Sequence, residues 1–227
     1  MPGKRFMEAE KLLDPKKLYT VDEAVALIKK TGSSKFDESV ELHARLGIDT
    51  KQSDQQIRIT ISLPHGSGKS KRVVAFVEAE KEAEAKQAGA DIIGGEELIA
   101  EISQKGILNF DVAIATPIMM PKLSKLAKTL GPRGLMPNPK TDTVGTNVGK
   151  MVQEQKAGKL SFKNDDTGNI HALVGKVSFD EAKLKGNLEA LLSVLKKAKP
   201  ASSKGIFLRS ITLTTTMGPA IKLELGA

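Results

Sequence analysis

Two styles of apolar patterning divide this chain into three parts, and that division limits its architecture more than any single motif. Near the amino end Val40, Leu42, Ala44, Leu46 and Ile48 share one face of a period-two strand, and Ile57, Ile59, Ile61 and Leu63 repeat the pattern. Such strands bury one side and leave the other polar. Between about Arg72 and Met119 the style changes to unbroken apolar runs at 73–77 and 111–116, separated by helical stretches over 80–88 and 96–102. Strands buried on both faces, with helices between them, predict a parallel sheet. After about Lys159 the half-buried style returns at 160–163 and 171–177, and again in a closing strand through Ile221, Leu223 and Leu225.

Helix signals fit between these strands. Thr20 with Glu23 forms a capping box that opens an amphipathic helix through Val25, Leu27 and Ile28, which Gly32 stops. Ser178 with Glu181 reads as a second capping box, starting a long helix that ends before Pro200. The outer segments are short for independent cores. The pattern therefore predicts one discontinuous domain built from 1–66 and 160–227, interrupted by an inserted α/β domain at 67–159. Two separate small domains would show the same strand styles. A hinge is expected at Pro64, His65 and Gly66 and at Ala157 and Gly158.

Charge and composition narrow the chemistry. The formal net charge is +8, which points to an anionic partner. Within the expected insert, 67–121 holds six basic and nine acidic residues, whereas 122–159 holds eight basic and two acidic. Lys122, Lys125, Lys128, Arg133, Lys140 and Lys150 thus mark a candidate phosphate-facing surface, with a solvated helix face as the plainer reading. The chain has no cysteine, and its three histidines, His43, His65 and His171, do not fall at paired ligand spacings, so disulfides, zinc sites and thiol chemistry are not expected. No stretch approaches membrane-spanning length or resembles a secretion leader, and the expected location is cytoplasmic.

Several motifs carry candidate chemistry. Ser210, Thr212, Thr214 and Thr216 alternate with Ile211 and Leu213, a strand with hydroxyls along one face. Hydroxyls donate and accept, so this face suits RNA sugars and base edges, although threonine is also simply a good strand former. The segment 63–70 ends Gly68, Lys69, Ser70 like a phosphate-cradling Walker loop, but Leu63 stands where that motif needs glycine and Pro64 lacks an N–H. A flexible junction is the preferred reading over nucleotide hydrolysis. The loop 131–140 holds two glycines and three prolines, a stiff shape able to present Arg133, Asn138 and Lys140 to phosphates or to serve as a tight connection. Lys35 and Phe36 precede the first strand, where Phe36 can stack on a base or enter the core. Asp165 and Asp166, followed by Thr167 and Gly168, read as a hairpin turn rather than an acid–base pair. No catalytic constellation, metal site or cofactor site is expected.

Taken in order, Lys35-Phe36, the junction 63–66, the loop 131–140, Asn164-Asp165 with Thr167-Gly168, and 215–219 closely resemble the large-subunit ribosomal protein L-one family in its bacterial form, over essentially the whole chain. The resemblance implies a sandwich-like α+β domain made from both termini and a Rossmann-like insert. It further implies a non-enzymatic structural protein, a monomer within the ribosome. Its partners would be the mobile stalk of large-subunit ribosomal RNA, the exit-site tRNA whose release the stalk assists, and the protein's own messenger RNA, which it would repress. Carried onto this sequence, the family's RNA contacts are Lys35, Phe36, Glu41, Asp165, Thr167, Ser210, Thr216, Met217 and Gly218. Glu41 and Asp165 would accept hydrogen bonds from ribose 2′-hydroxyls, and Met217 and Gly218 would allow close backbone approach. Arg133, Asn138 and Lys140 are expected to make a weaker second contact with stalk RNA or tRNA.

Overall fold

The computed structural model describes residues 3–32, 34–106 and 109–224. Its elements begin with helices α1 (Lys4–Glu10) and α2 (Val21–Thr31) and strands β1 (Ser39–Leu46), β2 (Arg58–Ser62) and β3 (Val73–Phe76). Next come α3 (Ala79–Gln87), β4 (Ile92–Gly94), α4 (Glu96–Lys105) and β5 (Val112–Ala115). The short helices α5 (Met120–Leu123) and α6 (Ala127–Leu130) follow, then α7 (Val148–Lys156), β6 (Lys159–Lys163) and β7 (Asn169–Lys176). The long helix α8 (Glu181–Lys197) precedes β8 (Leu208–Thr215) and β9 (Ile221–Leu223). The predicted position Leu225 of the last strand lies outside the described residues. These elements form two compact units, Met1–Gly68 with Leu160–Ala227, and Lys69–Lys159.

In the first unit an antiparallel sheet has the order β7-β1-β8-β9. Alternation decides its two faces. Val40, Leu42, Ala44 and Leu46 of β1, Ile211 and Leu213 of β8, and Ile170, Ala172 and Val174 of β7 are all buried in one core. That core is completed by Ala24, Val25 and Ile28 of α2 and by Leu184, Leu188, Leu191 and Leu195 of α8, a stripe at helical spacing. The intervening residues of the same strands point the other way and are partly or fully exposed.

β2 does alternate as its sequence predicts, but it belongs to a separate two-stranded ribbon with β6. Its buried Ile57, Ile59, Ile61 and Leu63 join the same core.

Local signals explain the helix ends unevenly. Thr20 and Glu23 do form the reciprocal capping box, with the Glu23 N–H donating to Thr20 Oγ1 and the Thr20 N–H donating to Glu23 Oε2. The second expected box is absent. α8 begins after Asp180, and the Ser178 hydroxyl and N–H donate instead to the Asp37 carboxylate at 2.9 and 3.1 Å. A long-range carboxylate has taken the serine that local spacing assigned to the helix.

The Walker-like segment also has a structural job. Buried Asn187 accepts a hydrogen bond from the His65 N–H and donates to the carbonyls of Gly66 and Val174, so the junction is fastened to α8 and β7. A phosphate-cradling loop needs a following helix whose N–H groups aim at the anion. Here the chain runs from this loop into strand β3.

The second unit contains a parallel sheet of order β4-β3-β5. Its continuous apolar run serves two cores. Val73, Ala75 and Val77 pack with Ala85 of α3 and with Val148 and Val152 of α7, while Val74 and Phe76 pack with Ile99, Phe110, Leu123 and Leu126. Lys122, Lys125 and Lys128 do not ride one continuous helix, because a 3₁₀ turn over Ser124–Leu126 separates α5 from α6.

Candidate nucleic-acid interface

The outward face of the four-stranded sheet is assembled by strand register. Glu41, His43 and Arg45 of β1 stand opposite Thr214, Thr212 and Ser210 of β8 and opposite Leu173, His171 and Asn169 of β7. The result is a polar platform on a strand eight residues long, roughly 25 Å from end to end. At its centre the Nδ1 atoms of His43 and His171 are 2.8 Å apart, which requires one of them to donate to the other. His43 Nε2 lies 3.1 Å from Thr214 Oγ1, and the Glu41 carboxylate is 3.9 Å away. Burial, followed by the charge of His171, pushes the His43 imidazole below its ordinary value despite Glu41.

At one end of this platform stand Lys35, Phe36, Thr216, Met217 and Gly218. Phe36 and Met217 are 56% and 53% exposed, so both leave apolar surface open to a partner at this end of the polar face. Their segments are held by Glu38, which is buried and makes no ion pair among the described residues. One carboxylate oxygen accepts the Ser34 N–H at 3.0 Å, and the other accepts the Met217 N–H at 3.0 Å. Burial alone would raise this carboxyl, but the hydrogen bonds from Ser34, from Thr215 and from the Met217 N–H outweigh it and hold it below the usual carboxylate range. The Ser34 and Thr215 hydroxyls approach the carboxylate without completing bonds of ordinary geometry. Thr216 lies just past the end of β8, and its Oγ1 accepts the Ser39 N–H at 3.0 Å, closing the sheet between β8 and β1. Gly218 is needed by the protein itself, since a Cβ there would sit 2.3 Å from Thr215 Oγ1.

Asp165, Thr167 and Ser210 occupy the opposite end, beside Asn169 and Arg45. The sequence therefore groups residues that the fold separates by the length of the strand, with Glu41 between them. Asp165 is already engaged. Its carboxylate accepts the N–H groups of Thr167 and Asn169 at 2.9 and 2.6 Å, the Thr167 hydroxyl, and the Asn169 amide at 3.2 Å. These bonds, led by that from the Asn169 N–H, lower its pKa to about 2. As an acceptor for a ribose 2′-hydroxyl, the Asp165 carboxylate has only the lone pairs that its own turn leaves over. Ser210, by contrast, is exposed and its hydroxyl has no partner among the described residues.

The Asp165 geometry carries a pH expectation. A depressed folded value contributes stability above the unfolded value, about 3.9, and that contribution is lost as pH falls through about 2. Thermal melting from pH 5 to pH 2 should therefore show a decline that is smaller in Asp165→Asn. Equal slopes for the two proteins would remove Asp165 from the account.

In the second unit, Asn138 serves its own loop. Its Oδ1 accepts the Lys140 N–H at 2.8 Å and caps a 3₁₀ turn, and its backbone carbonyl takes the hydroxyls of Thr141 and Thr143. Arg133 and Lys140 are exposed and make no ion pair among the described residues. The basic surface is thinner than its sequence implies, because Lys122 pairs with Glu96 at 2.5 Å and Lys150 with Glu154 at 3.8 Å. Among the described residues no group of three or more His, Asp or Glu side chains is arranged to hold a metal ion.

Sequence reasoning missed Glu38, although it follows directly on Lys35, Phe36 and Asp37 and so had a positional signal. It set aside His43 and His171 for their spacing, yet both fall at outward positions of alternating strands, which is the signal that pairs them.

Known proteins are similar to this chain along nearly its whole length. The model of the family described as Ribosomal protein L1p/L10e matches residues 27–219. The large ribosomal subunit protein uL1 of Bdellovibrio bacteriovorus is 56% identical over 227 residues, covering 100% of this chain and 97% of that protein. The uL1 of Kosmotoga olearia is 54% identical over 98% of this chain and 96% of its own length, and that of Thermus thermophilus 52% identical over 98% and 97%. With more than half of all positions shared along nearly the full length, the chain belongs to the Ribosomal protein L1p/L10e family.

Proposed function

We propose that this protein is a structural component of the large ribosomal subunit that binds stalk ribosomal RNA through the outward face of its four-stranded sheet. The observation that carries the reading is the exposed pair Phe36 and Met217, on segments fixed by one buried carboxylate at the edge of a face rich in hydroxyls. Phe36 stacks on a base and Met217 packs beside it. Ser210, Thr212 and Glu41 meet sugars and base edges, and Lys35 and Arg45 meet phosphates. Recognition is of preorganised shape, with no bond made or broken. Thr216 acts mainly by holding the sheet end and keeps one lone pair for RNA.

In this reading the unit built from both chain ends is the RNA-binding domain, and the Rossmann-like insert adds a weaker contact to stalk RNA or tRNA through Arg133 and Lys140. The protein works as a monomer on the cytoplasmic ribosome, assists release of exit-site tRNA, and represses its own messenger RNA when ribosomal RNA is scarce. Among the described residues no helix is long and apolar enough to cross a membrane.

The test is binding to a stalk RNA fragment, to scrambled RNA and to matched DNA. Wild type should prefer the stalk RNA. Thr216→Val and Met217→Asp should each weaken it by about 1–3 kcal/mol or more, and Lys69→Ala should change little. Equal losses for all three variants, or equal binding of every polymer, would defeat the reading.

A further inference from the structure

Beyond Ser210 the platform runs into a cleft of about 530 Å³, within the size range of sites that take a nucleotide-sized group. Gly47, Asp49, Gln55, Lys204 and Arg209 line it. A β-bulge creates its basic wall. Arg45 pairs with Ser210 but Leu46 pairs with Leu208, so Arg209 is an extra residue in β8. Arg209 and Ser210 are consequently both exposed, where regular alternation would hide one of them.

The floor is fixed by the protein's own bonds. The Gly47 N–H donates to the Phe207 carbonyl at 2.6 Å, and the Ser203 hydroxyl donates to the Gly47 carbonyl at 3.0 Å. The Gln55 amide accepts the Asp49 N–H and donates to Gln52. Asp49, the acidic group of the cleft, accepts the Lys51 N–H. Lys204 and Arg209 are left with neither an ion pair nor a side-chain hydrogen bond among the described residues. Two unpaired cations on a rigid polar floor, adjoining a free hydroxyl at the end of a polar platform, match a phosphodiester chain.

We infer that this cleft is a second anion subsite, in which Lys204 and Arg209 hold the backbone phosphates of an RNA strand leaving the sheet face past Ser210. The inference rests on the RNA-binding reading above and extends its footprint to loops that the sequence motifs do not include. Phosphate contacts position a nucleic acid without reading its sequence, so the subsite adds affinity and register but no base preference.

The experiment compares wild type with Lys204→Ala/Arg209→Ala in a salt series against the stalk RNA fragment and scrambled RNA. A control, Lys183→Ala/Lys185→Ala, removes the same charge from ion-paired positions of α8, Lys183 exposed and Lys185 half-buried. The cleft variant should bind the stalk RNA about 10-fold more weakly near 0.1 M salt, and its plot of log affinity against log salt should be shallower by roughly 1–2. Its preference for stalk over scrambled RNA should be retained, and the control should keep the wild-type slope. A wild-type slope for the cleft variant would overturn the inference, and so would an equal change in the control. So would loss of binding to an acidic peptide with RNA binding intact, which would make the cleft a protein site. Wild type that fails to prefer stalk RNA at all would instead overturn the RNA-binding reading itself, a separate result.

Discussion

Glu38→Gln should cost this protein both stability and its grip on RNA, although the residue touches solvent over only 2% of its surface. The carboxylate accepts two backbone N–H groups, one from Ser34 and one from Met217, residues 183 positions apart in the chain. An amide can accept only one of them and presents its NH₂ group to the other. A buried backbone donor would then face a donor, a loss of about 1–3 kcal/mol. Chemical denaturation should show this as a lower midpoint.

The loss carries over to RNA binding at comparable size, because whichever segment is released carries Phe36 or Met217. We expect the affinity for stalk RNA to fall about 10- to 100-fold at temperatures where the variant is fully folded by circular dichroism. Unchanged affinity in the folded variant would show that Glu38 holds the sheet and nothing more. The pH dependence has a definite sign. The Glu38 carboxyl is depressed in the folded state, so its contribution is present above the unfolded value of about 4.3 and is lost as pH falls through the folded one. Wild type should lose this contribution on acidification, and Glu38→Gln should have none to lose.

Gly47→Ala should be among the most destabilising small substitutions in the first unit. A Cβ at this position would lie 2.1 Å from the Ile206 carbonyl oxygen and 3.3 Å from Arg209 Nε. The oxygen belongs to the backbone and cannot swing aside as a side-chain tip can. Relief requires separating the loop before β8 from the end of β1, and with it the 2.6 Å bond from the Gly47 N–H to the Phe207 carbonyl. The cost is about 3 kcal/mol, the upper end for overpacking. Urea denaturation that finds the variant within experimental error of wild type would show that this approach is not tight. Gly106→Ala is a useful contrast. Its Cβ would meet nothing within 4 Å among the described residues, but its φ of +62° is left-handed, so its smaller penalty would report backbone strain alone.

The particular successes and failures of sequence reading share one cause. Alternation at 40–46 and at 211–213 was legible because a half-buried strand needs only its own residues to reveal a period of two, and the burial of Val40, Leu42, Ala44, Ile211 and Leu213 follows it. The unbroken run at 73–77 likewise announced two covered faces, and each receives its own core. The Thr20–Glu23 capping box is complete within four residues and forms as read. Ser178 with Glu181 has the same local form, yet Asp37, distant in sequence, takes the serine. Local spacing cannot register a competitor delivered by a distant segment of the chain.

The candidate site divides along the same line. The sequence determined which residues are polar and outward-facing and which are apolar and core-forming, since both are properties of short windows. The Asp165 turn and the hydroxyls of β8 were nameable from it, whereas the exposure of Phe36 and Met217 was not. Only the tertiary structure decided that these residues stand at two ends of one platform, that His43 meets His171, that Asp165 is already saturated by its own turn, and that Glu38 ties residue 34 to residue 217. The physical reason is register. Pairing β1 with β7 and β8 brings together residues more than a hundred positions apart, and which of them become neighbours depends on bulges and chain closure that no single segment encodes.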